Sequence, residues 1–297
     1  MRLPLRLLHR KLNSNKSDFG HVLVLAGSAR FSGAAVLCAE AAMRAGAGLV
    51  TIGIPKSINT GIIKIKPKEI MTLPLAETIG GALSLKSYRK IKEFVDNIDV
   101  LAIGPGLSLD ASTQALVRKI IIATDKPIVI DADGLGALAG HLKSLCAIVH
   151  KPYAVIMTPH PGEMAKLLKT TVKNIQDNRE AIAKKFAGEH KITLVLKGHK
   201  TIVAGPIGKL YINKTGNPGM STAGSGDVLT GIIAAFLAQG LSSFEAAKYG
   251  VYLHGLAGDL AAKEKTELSL ISSDIIDKIP KAVKVSIKDK RTGVKKK

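Results

Sequence analysis

The chain of 297 residues has no tryptophan, five tyrosines, six phenylalanines and two cysteines. So few cysteines exclude a disulfide framework as the organising principle. Cys38 and Cys146 each stand in an apolar, helix-like stretch without a partner at metal-ligand spacing, and both read as buried small hydrophobes. The shortage of aromatics bears on the formal net charge of +20, which invites a nucleic-acid reading. Binders of single strands stack bases on aromatic rings, and this chain offers few rings and no nucleic-acid motif. A lysine-rich solvated surface that also attracts anionic nucleotides accounts for the charge, with no specific nucleic-acid partner expected.

Long apolar runs are missing too. None reaches the roughly 20 residues that a membrane-spanning helix needs. Met1 to Leu12 intersperses Arg, His and Lys with Leu and lacks the unbroken apolar core of a signal peptide. A soluble, cytoplasmic protein without a membrane partner is expected. Neither a Walker phosphate loop nor a dinucleotide-binding Gly-x-Gly-x-x-Gly after a strand occurs, so any nucleotide chemistry must use another fold.

What is present is a regular alternation. Val22 to Ala26, Leu49 to Ile54, Val100 to Ile103, Ile128 to Asp131, Ala154 to Met157 and Thr193 to Leu196 read as short buried strands. Helical patterns lie between or after them: Ala34 to Arg44, Leu85 to Val95, Ser112 to Ile122, Gly162 to Leu168 and Asn178 to Glu189. Strand and helix in alternation predict an α/β fold, a mostly parallel sheet covered on both faces. Thr201 to Ala204 and Lys209 to Ile212, separated by Gly205, Pro206 and Gly208, predict a hairpin at a sheet edge. Two helices, about Gly226 to Gln239 and Ser243 to Lys263, then close the domain. With no linker or repeat, residues 1–280 read as a single domain and 281–297 as a basic tail, Lys288 to Lys297 having no apolar face.

In open parallel sheets ligands gather beyond the carboxyl ends of the strands, and there the unusual residues lie. The loops read Gly27 to Gly33, Gly104-Pro105-Gly106-Leu107, Asp131-Ala132-Asp133-Gly134, Thr158-Pro159-His160-Pro161-Gly162-Glu163 and Lys197-Gly198-His199-Lys200. The sharpest signal is Asn217-Pro218-Gly219-Met220-Ser221-Thr222-Ala223-Gly224-Ser225-Gly226-Asp227, which runs straight into a helical pattern. Gly224 and Gly226 let backbone amides approach a ligand, and the amides that open a helix lack intrahelical partners. Such a terminus attracts phosphate. A carboxylate in the first turn, Asp227, is suited to take a proton from a hydroxyl that attacks phosphorus.

Other positions carry less on their own. Gly104-Pro105-Gly106 alone is a tight turn as readily as a site. His160, held between two prolines, suits ligand contact better than core packing. Glu163 is either a water-mediated magnesium residue or an ordinary first-turn acid, and Asp131 and Asp133 are ligand-facing acids or helix caps. Lys197 can meet phosphate as a point charge. His21 and His254 show no paired spacing and read as structural.

A Gly-rich loop ending in Gly-x-Gly-Asp at a late helix resembles the anion hole and base of the ribokinase-like superfamily. The motifs Gly20 to Ser28, Ser32 to Ala35, Arg44 to Thr51, Gly104 to Leu107, Asp131 to Asp133, Thr158 to Glu163, Lys197-Gly198 and Asn217 to Gly231 resemble the NAD(P)H-hydrate dehydratases within it. The likeness spans roughly residues 17–265. It implies a ribokinase-like three-layer αβα fold and a hydro-lyase that repairs hydrated NADH or NADPH at the expense of ADP, with Mg2+ on the phosphates. It implies Asp227 as base and Gly224, Ser225 and Gly226 as phosphate cradle. Ala34 or Ala35, Gly106, His160, Asn217 and Asp227 would contact substrate; Lys197, Gly198, His199, Lys200, Thr201 and Gly226 would contact nucleotide. A homotetramer and a separate NAD(P)H-hydrate epimerase are the implied partners. An ATP-dependent form and a vitamin-precursor kinase are the alternatives, although related kinases carry Asn where this chain has His160.

Overall fold

Nine strands form one sheet in the order β3-β2-β1-β4-β5-β6-β7-β8-β9 in a computed structural model that describes residues 1–142 and 154–287. Cys146 and the stretch from Lys288 onward lie outside the described residues. The strands are β1 His21–Leu25, β2 Leu49–Pro55, β3 Met71–Leu75, β4 Val100–Ile103, β5 Ile128–Ile130, β6 Val155–Met157, β7 Thr193–Leu196, β8 Ile202–Ala204 and β9 Leu210–Ile212. From β3 through β7 all neighbours run parallel; β8 and β9 add an antiparallel edge, as the Gly-Pro-x-Gly spacing predicts.

Successive side chains of a strand point to opposite faces, and the core divides accordingly. Val22 and Val24 of β1, with Val100 and Ala102 of β4, enter one apolar layer; Leu23, Leu25, Leu101 and Ile103 enter the other. The first layer is closed by helices Ser32–Arg44, Ser225–Ala238, Ser243–Lys265 and Ser272–Ile287. The second is closed by Tyr88–Val95, Ala111–Ala123, Pro161–Leu168 and Arg179–Glu189. Two buried faces explain why the strand sequences are continuous apolar runs and not alternating ones. Helix Ser225–Ala238 sits especially close to helix Ser32–Arg44, since a Cβ at Gly231 would collide with the carbonyl of Cys38. Cys38 is buried and unpaired, as its apolar context suggests.

Three features differ from the sequence reading. Strand β3 and helix Lys56–Ile65 fill residues left unassigned; β3 contains Pro74, tolerated at a sheet edge where one side needs no ladder donor. Helices Asp133–Leu138 and Val172–Asp177 are short additions. Ser243–Lys265 is not the final helix: Ser272–Ile287 follows and continues through Pro280, with Ile275, Ile276, Ile279 and Ala282 buried. A tail beginning at 281 would therefore start inside packed structure.

Candidate active site

Between β1 and β4 the chain order reverses direction across the sheet, and the loops that follow these strands flank the resulting crevice. Backbone amides stitch the loops together: Gly27 N donates to Pro105 O at 2.8 Å, and Ser108 N to the Asp133 side-chain Oδ2 at 2.8 Å. Gly106 has φ +62°, and a Cβ there would lie 2.8 Å from Phe31 Cβ and 2.9 Å from Ala34 Cβ. Gly106 and Ala34 thus meet at van der Waals contact across the switch point. Ala35 is fully buried, so of the two neighbouring alanines Ala34 is the one turned toward this loop.

The catalytic-type loop is built from the other end of the chain. Gly224 adopts φ +86° as N-cap of helix Ser225–Ala238, a conformation that glycine reaches without strain. Ser272 Oγ donates to the carbonyl of Ala223 at 2.6 Å and pins the approach. Asn217 shapes the loop's start: its Oδ1 accepts from Gly219 N at 3.1 Å while its Nδ2 donates to Asp259 Oδ1 at 3.0 Å. Asp227 lies in the helix's first turn. Burial, and next the charge of Asp131, push its carboxyl up to about 7 against the opposing pull of Lys197.

Behind Asp227 lies an ion pair. Lys197 Nζ is 2.6 Å from Asp131 Oδ1 and 3.8 Å from Glu163 Oε2, with side-chain exposures of 17% for Lys197 and 1% for Asp131. Burial disfavours the Lys197 charge, but these two carboxylates outweigh it and hold the ammonium above its ordinary range. The following loop is held by its backbone: Lys197 N donates to Pro159 O at 2.8 Å, and Thr201 Oγ1 to Gly198 O at 2.9 Å. Arg179 supports it from beneath, donating to the carbonyls of Leu196 and Lys197 at 3.2 and 3.3 Å.

His160 is the N-cap of helix Pro161–Leu168. Its Nδ1 accepts from Gly162 N at 3.0 Å and Glu163 N at 3.3 Å, and Glu163 Oε2 accepts from His160 N at 2.7 Å, a reciprocal capping box. Two incoming N–H groups make Nδ1 an acceptor and leave Nε2 as the donor nitrogen of the ring. A cleft of about 860 Å3 brings together His160, Lys197 to Thr201, Asn217, Ser225 and Gly226. A larger hollow of about 1060 Å3 shares the wall His199, Lys200, Asn213, Thr215 and Gly216 but contains none of the helix opening, so size does not mark the reacting site. Ala34, Ala35 and Gly106 do not line the 860 Å3 cleft; they stand at the switch point.

With this geometry in place, a family model described as NAD(P)H-hydrate dehydratase matches residues 22–281. The chain belongs to that family. It is 48% identical over 275 residues to a bifunctional NAD(P)H-hydrate repair enzyme of Moorella thermoacetica, a match covering 93% of this chain and 51% of that one. The chain therefore spans about half the length of its bifunctional relatives. It is 39% identical to an ADP-dependent (S)-NAD(P)H-hydrate dehydratase of Neisseria meningitidis, covering 88% of this chain and 83% of the relative. A crystal structure of an ADP/ATP-dependent NAD(P)H-hydrate dehydratase from Bacillus subtilis, co-crystallised with ATP/Mg2+, superposes with a TM-score of 0.79 at 30% identity, covering 96% of this chain and 95% of that one. A ribokinase-like protein of Enterococcus faecalis superposes equally well, TM-score 0.79 at 29% identity, covering 94% and 91%. The ribokinase-like fold expected from the motifs is thus the fold this family member has.

One residue that the sequence reads as structural also reaches this dehydratase-family site. His254 is buried in the cleft wall with Nε2 3.3 Å from Ser225 Oγ, and burial pushes it down to about 4, so the ring is neutral. A signal was available. Gly250, His254 and Gly258 recur every four residues on helix Ser243–Lys265, marking a face that other structure approaches closely.

Proposed function

We propose that this chain removes water from hydrated NADH or NADPH at the expense of ADP, returning the reduced cofactor, AMP and inorganic phosphate. The observation that carries the reading is the partly buried Asp227 carboxyl, pushed up to about 7 in the turn opened by Gly224, Ser225 and Gly226. A base of that strength accepts protons efficiently at neutral pH. In the proposed reaction Asp227 takes the proton of the ring hydroxyl as its oxygen attacks the terminal phosphorus of ADP. The bond from that phosphorus to the bridging oxygen breaks and AMP leaves. Charge on the phosphoryl group in transit meets the first-turn amides and the Lys197 ammonium. The carbon–oxygen bond of the phosphate ester then breaks under the push of the ring nitrogen's lone pair. Phosphate departs, a ring proton is lost, and the enamine double bond is restored.

Magnesium, when bound, would neutralise charge on the nucleotide phosphates. Among the described residues no group of three or more His, Cys, Asp or Glu forms a cage for an ion. That fits a magnesium carried by phosphates and water with one protein carboxylate in support. Glu163 suits the supporting role: it stands 17% exposed beside Lys197, with Oε2 on the His160 amide and Oε1 3.5 Å from His160 Nε2. Lys197 to Thr201 would hold the nucleotide, and Ala34, Gly106, His160 and Asn217 would shape the space for the hydrated ring. A cytoplasmic homotetramer paired in function with an NAD(P)H-hydrate epimerase completes the proposal, which light scattering checks for assembly.

The test is incubation of the pure protein with hydrated NADH, magnesium and either ADP or ATP, following nicotinamide absorbance, phosphate and AMP. Absorbance should recover, faster with ADP. Equal or better rates with ATP would overturn the nucleotide assignment alone. Accumulation of a stable phosphorylated product without phosphate release would make the chain a kinase.

A further inference from the structure

Asp131, the first residue after β5, uses both carboxylate oxygens inside the protein. Oδ1 accepts from Lys197 Nζ at 2.6 Å, and Oδ2 accepts from Thr230 Oγ1 at 2.8 Å. Burying charges costs free energy that an apolar residue at a strand end would avoid, so the fold alone does not call for this pair. Its surroundings show what it serves. Thr230 stands three residues beyond Asp227 on the same helix, so the two share a face. A Cβ at Gly226 would lie 3.3 Å from Lys197 Nζ and 3.7 Å from Asp131 Oδ2. The pair thus lies at close contact distance from the turn that opens the helix, next to Asp227.

We propose that Asp131 is the positioning residue of this site: through Lys197 and Thr230 it fixes a cation beside the phosphate cradle and sets a buried negative charge against the Asp227 carboxyl, governing when that carboxyl holds its proton. The inference rests on the reading of Asp227 as the base. The ionisable groups facing Asp227 are Asp131, Lys197, Asp133 from helix Asp133–Leu138 and Glu163 from helix Pro161–Leu168; Cys38 reaches it from helix Ser32–Arg44. The Cys38 thiol is pushed up by burial and stays neutral. Among the carboxylates Asp131 acts most strongly on Asp227, and Lys197 is its counterweight.

The test reads Asp227 directly and does not depend on turnover. Carboxyl signals of isotope-labelled aspartate are followed by NMR across pH, with Asp227→Asn identifying the signal. Asp131→Asn preserves shape and removes the charge, so the Asp227 midpoint should fall by about one to three pH units. Thr230→Val removes a bond but no charge and should leave the midpoint in place. Should Asp131→Asn fail to fold, Lys197→Met supplies the second arm: losing the cation should raise the midpoint. An unmoved midpoint in Asp131→Asn, even with a lowered melting temperature, would assign Asp131 to the scaffold and overturn the proposal. So would a Thr230→Val shift as large as that of Asp131→Asn, or a midpoint that fails to rise in Lys197→Met. Midpoints that move as expected in a protein that does not turn over hydrated NADH would uphold this inference and sink the substrate assignment.

Discussion

The two sides of Asp227 are made of different materials. On the nucleotide side stand polar and charged side chains, Lys197, His199 and Lys200, with Arg179 bracing the loop behind them. On the switch-point side stand Gly27, Ala34, Gly104 and Gly106, small residues, with neighbouring backbone and Cβ atoms close against the three glycines. Charges recognise phosphate over several ångströms and tolerate small displacements. Close-packed small residues recognise shape only by the volume they leave open, and they tolerate almost none. Substitutions on the first side should therefore cost affinity, and on the second they should cost geometry.

The largest effect should come from the residue both sides share. Asp227→Asn keeps the size and removes the proton acceptor, so turnover should fall by about 10² to 10⁴. Folding should survive, with a specific pH signature. In the folded protein this carboxyl sits at about 7 against an ordinary 3.8. The folded state then binds a proton more tightly than the unfolded one, and stability drains away as pH rises through that interval. Asn carries no such penalty. Melting should accordingly be higher for Asp227→Asn than for the parent protein above neutrality, and calorimetry across pH checks it; a variant melting lower there would mean the carboxylate is a stabilising helix-start acid.

Gly106→Val probes the switch-point side and should rank second. The residue would need φ +62°, and its Cβ would meet Phe31 Cβ at 2.8 Å and the Phe31 carbonyl at 2.9 Å. Relief requires the loop to shift, and a displacement of about 1 Å in a positioning element can cost about a hundredfold in rate. The kcat/KM for hydrated cofactor should fall by about that factor while ADP affinity holds. Equal losses of both would erase the division between the two sides.

How much of this was legible follows the same division. The loops were readable because the preceding strands, such as Val100–Ile103, are short unbroken apolar runs followed by glycine, and the turn that opens helix Ser225–Ala238 because Gly-x-Gly-Asp stands directly before a helical pattern. Relations between loops were not readable. Asp131 and Lys197 are 66 residues apart and Asp131 and Thr230 are 99 apart, so no local pattern announces their bonds. The Lys197 side chain reads from sequence as a phosphate contact, and only the fold reveals the buried acid beneath it. Helix Ser272–Ile287 escaped because Pro280 signals a break, whereas burial of Ile276 and Ile279 holds the helix together across it.

His160 gives the smallest and finest test, because it belongs to both descriptions at once. It lines the cleft of the nucleotide loop, yet its ring is committed through Nδ1 to capping helix Pro161–Leu168. Removing a cap costs about 0.5 to 2 kcal/mol, and each 1 kcal/mol shifts melting by about 2 to 4 °C in a domain of this size. His160→Ala should thus melt a few degrees lower. His160→Asn should recover that stability, since Asn is a preferred cap whose oxygen can accept the same amide protons. Neither variant retains the Nε2 proton, which lies on the side of Glu163 Oε1, 3.5 Å from Nε2. If that proton meets the hydrated ring, both should raise KM for the hydrated cofactor by about tenfold, the worth of one hydrogen bond, and leave ADP affinity unchanged. If instead Asn restores KM along with the melting temperature, His160 contributes only the cap, and recognition of the ring falls to the close-packed wall of Ala34 and Gly106.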